Sequence, residues 1–350
     1  MSDGRSQVAT ALRDQAEACE AMGSPLYGRL LRGAALDALS GGPIWRVLEQ
    51  HAAPGRGNAL ALRLMAAAHR LVLTGQAPVL ALHYPSAGGD AGREGAFAAF
   101  RDLTEARRSE LTRLVALRCQ TNEVGRAAAL MFGFLELAAE TRLPLRVFEV
   151  GASAGLNLRF DRFRYGGGRA AWGEPGSPVD LTGLWRDSPQ AVESRVEVVE
   201  RRGCDLGPID PGSDQGRLAL TASVWADQTA RFARLQGALA LAARVPAAVD
   251  AASLESWVPG RLAELPRGTA TVVYHSVVDE YLPAEARRVF HASLEEAGAR
   301  ATRQAPLAWL RLEPVSAVRE HGVRLVTWPG GRERLVAICG AHGSDVRRAG

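Results

Sequence analysis

The stretch that decides the fold is Leu143-Pro144-Leu145-Arg146-Val147-Phe148-Glu149-Val150, followed by Gly151-Ala152-Ser153-Ala154-Gly155-Leu156-Asn157. Its first part is a compact apolar and β-branched run, the composition of a buried strand. Its second part is a tight turn of small residues entering a helix. Small side chains let the backbone approach a ligand closely. A helix N-terminus at that point presents free N–H groups and a partial positive charge. Strand, turn and helix in this order open an α/β domain.

Three chemistries use such a turn. The segment resembles the S-adenosylmethionine pattern of class I methyltransferases, an acid followed by spaced small residues, here Glu149, Gly151, Ser153 and Gly155, with Ala152 and Asn157 in the same loop. In that family the acid orders the loop around the cofactor's methionine portion. A nicotinamide dinucleotide site needs G-x-G-x-x-G, and Ser153 and Leu156 stand where two of those glycines belong. A hydrolase needs G-x-S-x-G, which Gly151 to Gly155 matches, with Asp279 and His342 following in the order of a triad. Such a hydrolase builds several strands before its nucleophile. Here Pro78–Tyr84 is the one earlier strand candidate, and Glu149 has no role in an elbow.

Upstream of the turn the chain reads as helical. VATALRDQAEACEAM, YGRLLRGAALDAL, NALALRLMAAAHRLVL and FAAFRDLTEARRSELTRLVAL repeat apolar residues at helical spacing, and glycine and proline mark the joints. A last helix is expected from Thr121 or Asn122 through Ala139. Downstream, residues 160–216 are rich in Gly, Pro, Trp and Asp and read as an insertion with one strand, RVEVVE. Alternation then resumes, with strands expected at RLALTASVW, VPAAVD, TATVVYHSV and APLAWLRLEP and helices between them. VRLVTW, Pro329-Gly330-Gly331 and RLVAIC predict a closing hairpin.

Composition narrows the chemistry. All 42 basic residues are arginine. The lack of lysine argues against a Schiff-base or pyridoxal-phosphate enzyme, a P-loop nucleotidase and a protein kinase, each of which needs a particular lysine. The net charge of +4 is interleaved with acids, as in TEARRSELTRL, which speaks for a solvated surface and against a nucleic-acid partner. Four scattered cysteines, no secretory signal and no apolar run of about 18 residues point to the cytoplasm and away from a membrane. No metal-ligand motif is present.

At family level the runs QTNEVGR (120–126), EVGASAGLNLRFDRFRY (149–165), ERRGCDLGPIDP (200–211), HSVVDEYLP (275–283) and APLAWLRLEP (305–314) resemble the bacterial domain of unknown function 2332. The resemblance spans nearly the whole chain and implies that both halves serve one function. It implies no reaction. The expected fold is α/β: a Rossmann-like class I methyltransferase sheet with a C-terminal β-hairpin over 141–350, preceded by an all-helical domain over 1–140.

The methyltransferase resemblance distributes the roles. Asp227, after RLALTASVWA, is the expected ribose acid, with Glu200 its rival and helix capping its other reading. Asp250 is expected beside the adenine, again with capping as the alternative. His275 is placed to accept a substrate proton, or to be a hydrogen-bonded structural residue. Asn122, Arg126, Asp205, Tyr274, Ser276 and Tyr281 are the expected substrate contacts. The expected activity is methyl transfer to an O or N of a small molecule. A serine hydrolase using Ser153 and a non-catalytic nucleotide-binding module are the alternatives, and oligomeric state is unreadable.

Overall fold

The computed structural model describes residues 2–52, 59–168, 170–315 and 320–350. Asn58, expected as the first residue of the third helix, lies outside them. The chain divides into two compact units, Met1–Thr121 with Ser213–Phe232, and Asn122–Gly212 with Ala233–Gly350.

The first unit is helical: α1 (Ser2–Ala21), α2 (Pro25–Leu39), α3 (Pro43–Leu48), α4 (Leu60–Leu73), α5 (Pro78–Ala81), α6 (Ala96–Ala106) and α7 (Arg108–Val115). The expected helices are present, and the long 97–117 pattern is broken at Arg107 into two. Pro78–Tyr84, the earlier strand candidate, begins with α5 instead. Leu12, Leu30, Leu31, Leu64, Phe100 and Leu111 are among the residues of its core.

α8 (Ala127–Thr141) starts the second unit and packs on strands of its sheet. The boundary therefore falls before this helix rather than near residue 140. α9 (Asp214–Ser223) returns to the first unit. It occupies the segment expected as the strand RLALTASVW. Ser213 caps it through Gly216 N, and Gly216, Leu220, Ala222 and Ser223 form its buried side.

The second unit holds an eight-stranded sheet. Its strands are β1 (Leu145–Val150), β5 (Val198–Asp205), β6 (Ala248–Ala251), β7 (Ala270–Ser276), β8 (Leu307–Pro314), β9 (Glu320–Trp328), β10 (Arg332–Gly340) and β11 (Arg347–Arg348). A separate three-stranded sheet of β2 (Arg164–Gly167), β3 (Ala170–Trp172) and β4 (Asp180–Thr182) lies between β1 and β5. The order is β11-β10-β9-β8-β7-β1-β5-β6. The five strands from β6 to β8 are parallel, and β9 runs antiparallel to β8. The expected hairpin is β9–β10, and β11 pairs antiparallel beyond it.

α10 (Thr229–Ala242), α11 (Leu254–Arg261) and α12 (Ala284–Arg300) connect the later strands. Trp257, Val258, Phe290 and Leu294 of α11 and α12 join Phe148, Val273 and Trp309 of the sheet in one core. Among the described residues no helix is long and apolar enough to cross a membrane. Successive connections leave β1 toward β5 on one side and reach β7 on the other. The order thus reverses between β1 and β7, which places the ligand crevice of such a sheet outside their carboxyl ends.

Candidate functional site

At the carboxyl end of β1 the chain turns at Gly151, Ser153 and Gly155, with φ of 67°, 52° and 65°. The glycines meet this left-handed backbone without strain. Ser153 does not, and a non-glycine residue held there marks a constrained site. The turn is knitted to β5 and the residues after it. Ala152 N donates to Cys204 O, Ser153 N donates to Asp205 Oδ2 at 2.9 Å, and Ile209 N donates to Ser153 O. An added Cβ at Gly151 would stand 2.7 Å from Val278 Cγ2, so the turn also lies against the loop after β7.

Glu149 is 3% exposed. In parallel register its neighbour on β7 is Tyr274, which is completely buried. Burial raises the Glu149 carboxyl to about 8, against the lowering influence of the Tyr274 hydroxyl and the Arg159 guanidinium. The Tyr274 hydroxyl and the Glu149 carboxyl act on each other across the two strands. Glu149 Oε2, Tyr274 hydroxyl, Ser153 Oγ and Asn157 Oδ1 are all buried and have no hydrogen-bond partner among the described residues.

The TNEVGR segment serves the turn rather than reaching outward. Asn122 Oδ1 accepts from Leu156 N at 2.8 Å, and Asn157 Nδ2 donates to Glu123 O at 3.1 Å. Arg126 donates from Nε to Ala341 O and from Nη1 to Ser276 O. Arg159, which the sequence reading passed over, is buried and donates to Gly155 O and Val245 O. Tyr281 is 61% exposed on the 3-10 turn after β7.

Three expected roles do not survive their surroundings. Asp227 lies in the first unit, where it accepts from Ser24 Oγ and Leu26 N at 2.5 and 2.9 Å. It caps the start of α2, because the strand expected before it is a helix. Glu200 sits early in β5 and pairs with Arg146 at 2.7 Å, away from the strand's carboxyl end. Asp250 lies within β6, its two oxygens bound by Arg202 at 2.7 Å each and one also by Trp257 Nε1 at 2.6 Å. Arg202 foremost holds its pKa down at about 2. This carboxylate neither caps α11 nor faces outward unpaired. The acid at the end of the second strand of the sheet is Asp205, which also accepts from Gly207 N at 2.9 Å.

His275 is also reassigned. It is completely buried, with Nδ1 2.9 Å from Glu313 Oε1 and Nε2 3.1 Å from Trp309 Nε1. An indole N–H only donates, so Nε2 is the acceptor and Nδ1 carries the proton to Glu313. Both nitrogens are committed, and the ring has no lone pair for a substrate proton. Glu313 Oε1 further accepts from Val278 N and Asp279 N at 2.8 and 3.3 Å. Burial pushes the Glu313 carboxyl up, but the hydrogen bond from His275 and those from the two backbone groups outweigh it and leave the pKa lowered. Val277, at the head of this loop, has a φ of 56°, a strained value for a β-branched residue. Glu313 and Trp309 were legible only as members of the APLAWLRLEP run.

No curated protein and no solved structure matches the chain. The family model described as "Uncharacterized protein conserved in bacteria (DUF2332)" matches residues 9–348, which takes in every group described above. The chain belongs to the bacterial family DUF2332.

Proposed function

We propose that the second unit binds S-adenosylmethionine at the Glu149–Asn157 turn and methylates an oxygen or nitrogen of a small molecule. The observation that carries this reading is the set of orphaned polar atoms on Glu149, Ser153, Asn157 and Tyr274 around one glycine turn. Buried polar groups are ordinarily paired, and an unpaired set at a strand end suits a ligand with polar groups of its own. The parallel order β6-β5-β1-β7-β8 supports a Rossmann-like methyltransferase sheet, with β9 as its antiparallel addition.

S-adenosylmethionine would supply a methyl group activated on a sulfonium. Glu149 would hold its ammonium group, and Asp205, fixed by Ser153 N and Gly207 N, would take the ribose hydroxyls. With His275 committed to Glu313 and Trp309, the chain's contribution is orientation and exclusion of water. The interleaved surface charge favours a small molecule over nucleic acid.

Calorimetry with S-adenosylhomocysteine at pH 7, in buffers of different ionisation enthalpy, tests the reading. A Glu149 carboxyl raised to about 8 is mostly protonated at pH 7. An ammonium group seated against it favours the ionised form and should release close to one proton per ligand bound. Absence of binding rejects the reading, and binding without proton release removes Glu149 from the contact.

The hydrolase remains a second reading on one observation, the left-handed Ser153 in a strand–turn–helix setting. Ser153 Oγ has no hydrogen-bond partner among the described residues, so the base such a nucleophile needs is not engaged with it.

A further inference from the structure

We propose that the carboxyl ends of β7 and β8 form a divalent-cation site, with Glu313 and Asp279 as ligands and His275 as the residue that positions Glu313. Ligand-capable atoms of His275, Asp279 and Glu313 lie within 4.8 Å of one another. Glu313 is 8% exposed, and its two oxygens differ sharply. Oε1 accepts from His275, Val278 and Asp279, whereas Oε2 is buried without a hydrogen-bond partner among the described residues. Asp279 Oδ1 is in the same condition. Each of these two oxygens has lost its hydration, a cost of several kcal/mol unless a positive charge or a donor meets them.

The nearby guanidinium of Arg287 does not supply that charge through a hydrogen bond to either carboxylate. Its Nη2 donates to the main-chain oxygen of Asp279, and its Nε has no partner among the described residues. His275 is not a ligand, because its only lone pair receives the Trp309 N–H. Its Nδ1–H instead orients the carboxylate, as hydrogen-bonded outer partners do for metal-ligating groups. His291, which feels the Asp279 charge, lies outside this cluster. Two oxygen ligands, with no thiolate or free imidazole among the three clustered groups, select a hard cation such as Mg²⁺, Mn²⁺ or Ca²⁺.

The location gives the cation a use. Val278 donates its N–H to Glu313 and rests its side chain against Gly151, so the site adjoins the glycine turn. Coordination positions beyond the two carboxylates would take water or an oxygen of a bound molecule. That makes a hydroxyl- or carboxylate-bearing compound the substrate class it fits. The site does not depend on the methyl-transfer reading.

Mn²⁺ titration of the full-length, chelator-treated protein, followed by electron paramagnetic resonance, is the test. We expect one ion per chain with a Kd of about 10⁻⁴ M, the weak end for oxygen sites. Asp279→Asn and Glu313→Gln should each weaken binding at least about tenfold, a loss of ~1.4 kcal/mol. The glutamine variant keeps an acceptor for His275 and the backbone N–H groups, and circular dichroism checks its fold. His275→Gln, which retains an N–H donor, should preserve affinity that His275→Leu partly loses. Failure of the folded wild type to bind Mn²⁺ at about 10 mM, well above the weakest usual range, overturns the proposal. So does equal binding by wild type, Asp279→Asn and Glu313→Gln. S-adenosylhomocysteine affinity, measured separately, reports on the other reading.

Discussion

Glu149 and Glu313 stand at the carboxyl ends of parallel strands in the same unit, at 3% and 8% exposure, and their acidities move in opposite directions. Burial raises Glu149 to about 8. At Glu313 burial pushes the same way, but His275 and two backbone N–H groups reverse it. Depth therefore does not set the charge of a buried carboxyl here; the number of donors aimed at it does. One region stores a proton at neutral pH beside unpaired hydroxyl and amide oxygens. The other holds an anion that ties down the loop from Val277 to Asp279. The first suits an exchangeable ligand, and the second fixes the geometry around it.

The largest effect that could break this contrast is the pH dependence of stability at Glu149. Its folded pKa, about 8, lies above the ordinary carboxyl value of 4.5. The folded state thus binds more protons than the unfolded chain between those values. Stability from this group is fully present below pH 4.5 and is lost as pH rises through 8. Wild type should lose about 4 kcal/mol relative to Glu149→Gln between pH 5 and 9. Denaturant unfolding of both proteins across that range is the measurement. Parallel stability curves would show that Glu149 is ionised and partnered, erasing the difference from Glu313.

Glu313→Ala comes next. Removing the carboxylate strands the His275 N–H and the Val278 and Asp279 N–H groups, and releases a loop whose Val277 is held at a φ of 56°. A loss of about 3 kcal/mol is expected from buried donors left unpaired. Glu313→Gln should recover much of it, because an amide oxygen still accepts. If alanine is harmless, the loop is held by packing, and the anchor described for the second region fails.

What the sequence made legible follows the same distinction between apolar burial and polar pairing. β1 and β7 are buried nearly end to end, so their apolar runs announced them. β5 was legible only at its start: the expected strand RVEVVE stops at Glu200, whereas β5 runs on through Arg201, Arg202 and Gly203 to Asp205, a charged stretch with no apolar run to mark it. Those charges are neutralised within the fold, Arg201 by Asp161 at 2.6 Å and Arg202 by Asp250. Gly203 gives room to Ala152, whose Cβ would lie 2.6 Å from an added one. With that strand expected to end at Glu200, the ribose role was divided between Glu200 and Asp227, which caps a helix in the other unit, and Asp205 fell among the substrate contacts. Glu149 and its turn were readable because small residues after a strand carry their own meaning. Glu313 was not, since its importance lies in groups drawn from β7 and the loop beyond it.

The smallest expected effect is at Ser153, and it sharpens the region around Glu149. Its N–H and carbonyl are used by Asp205 and Ile209, so the backbone already fixes the turn. Its Oγ is buried, has no partner among the described residues and carries no structural bond. Ser153→Ala removes that unpaired oxygen while keeping a Cβ in the same left-handed backbone. Stability should therefore change by no more than about 0.5 kcal/mol, with any shift toward greater stability. If Oγ is a ligand contact, S-adenosylhomocysteine affinity should fall by about fivefold, one neutral hydrogen bond, while the fold is untouched. The hydrolase alternative makes the opposite demand on the same atom, because a nucleophile requires a base within hydrogen-bond reach. Intact mass spectrometry after a fluorophosphonate probe separates the two. No label is expected on the folded wild type. Stoichiometric labelling lost in Ser153→Ala would mean that a base reaches the turn, and that the unpaired oxygens near Glu149 serve acyl chemistry instead.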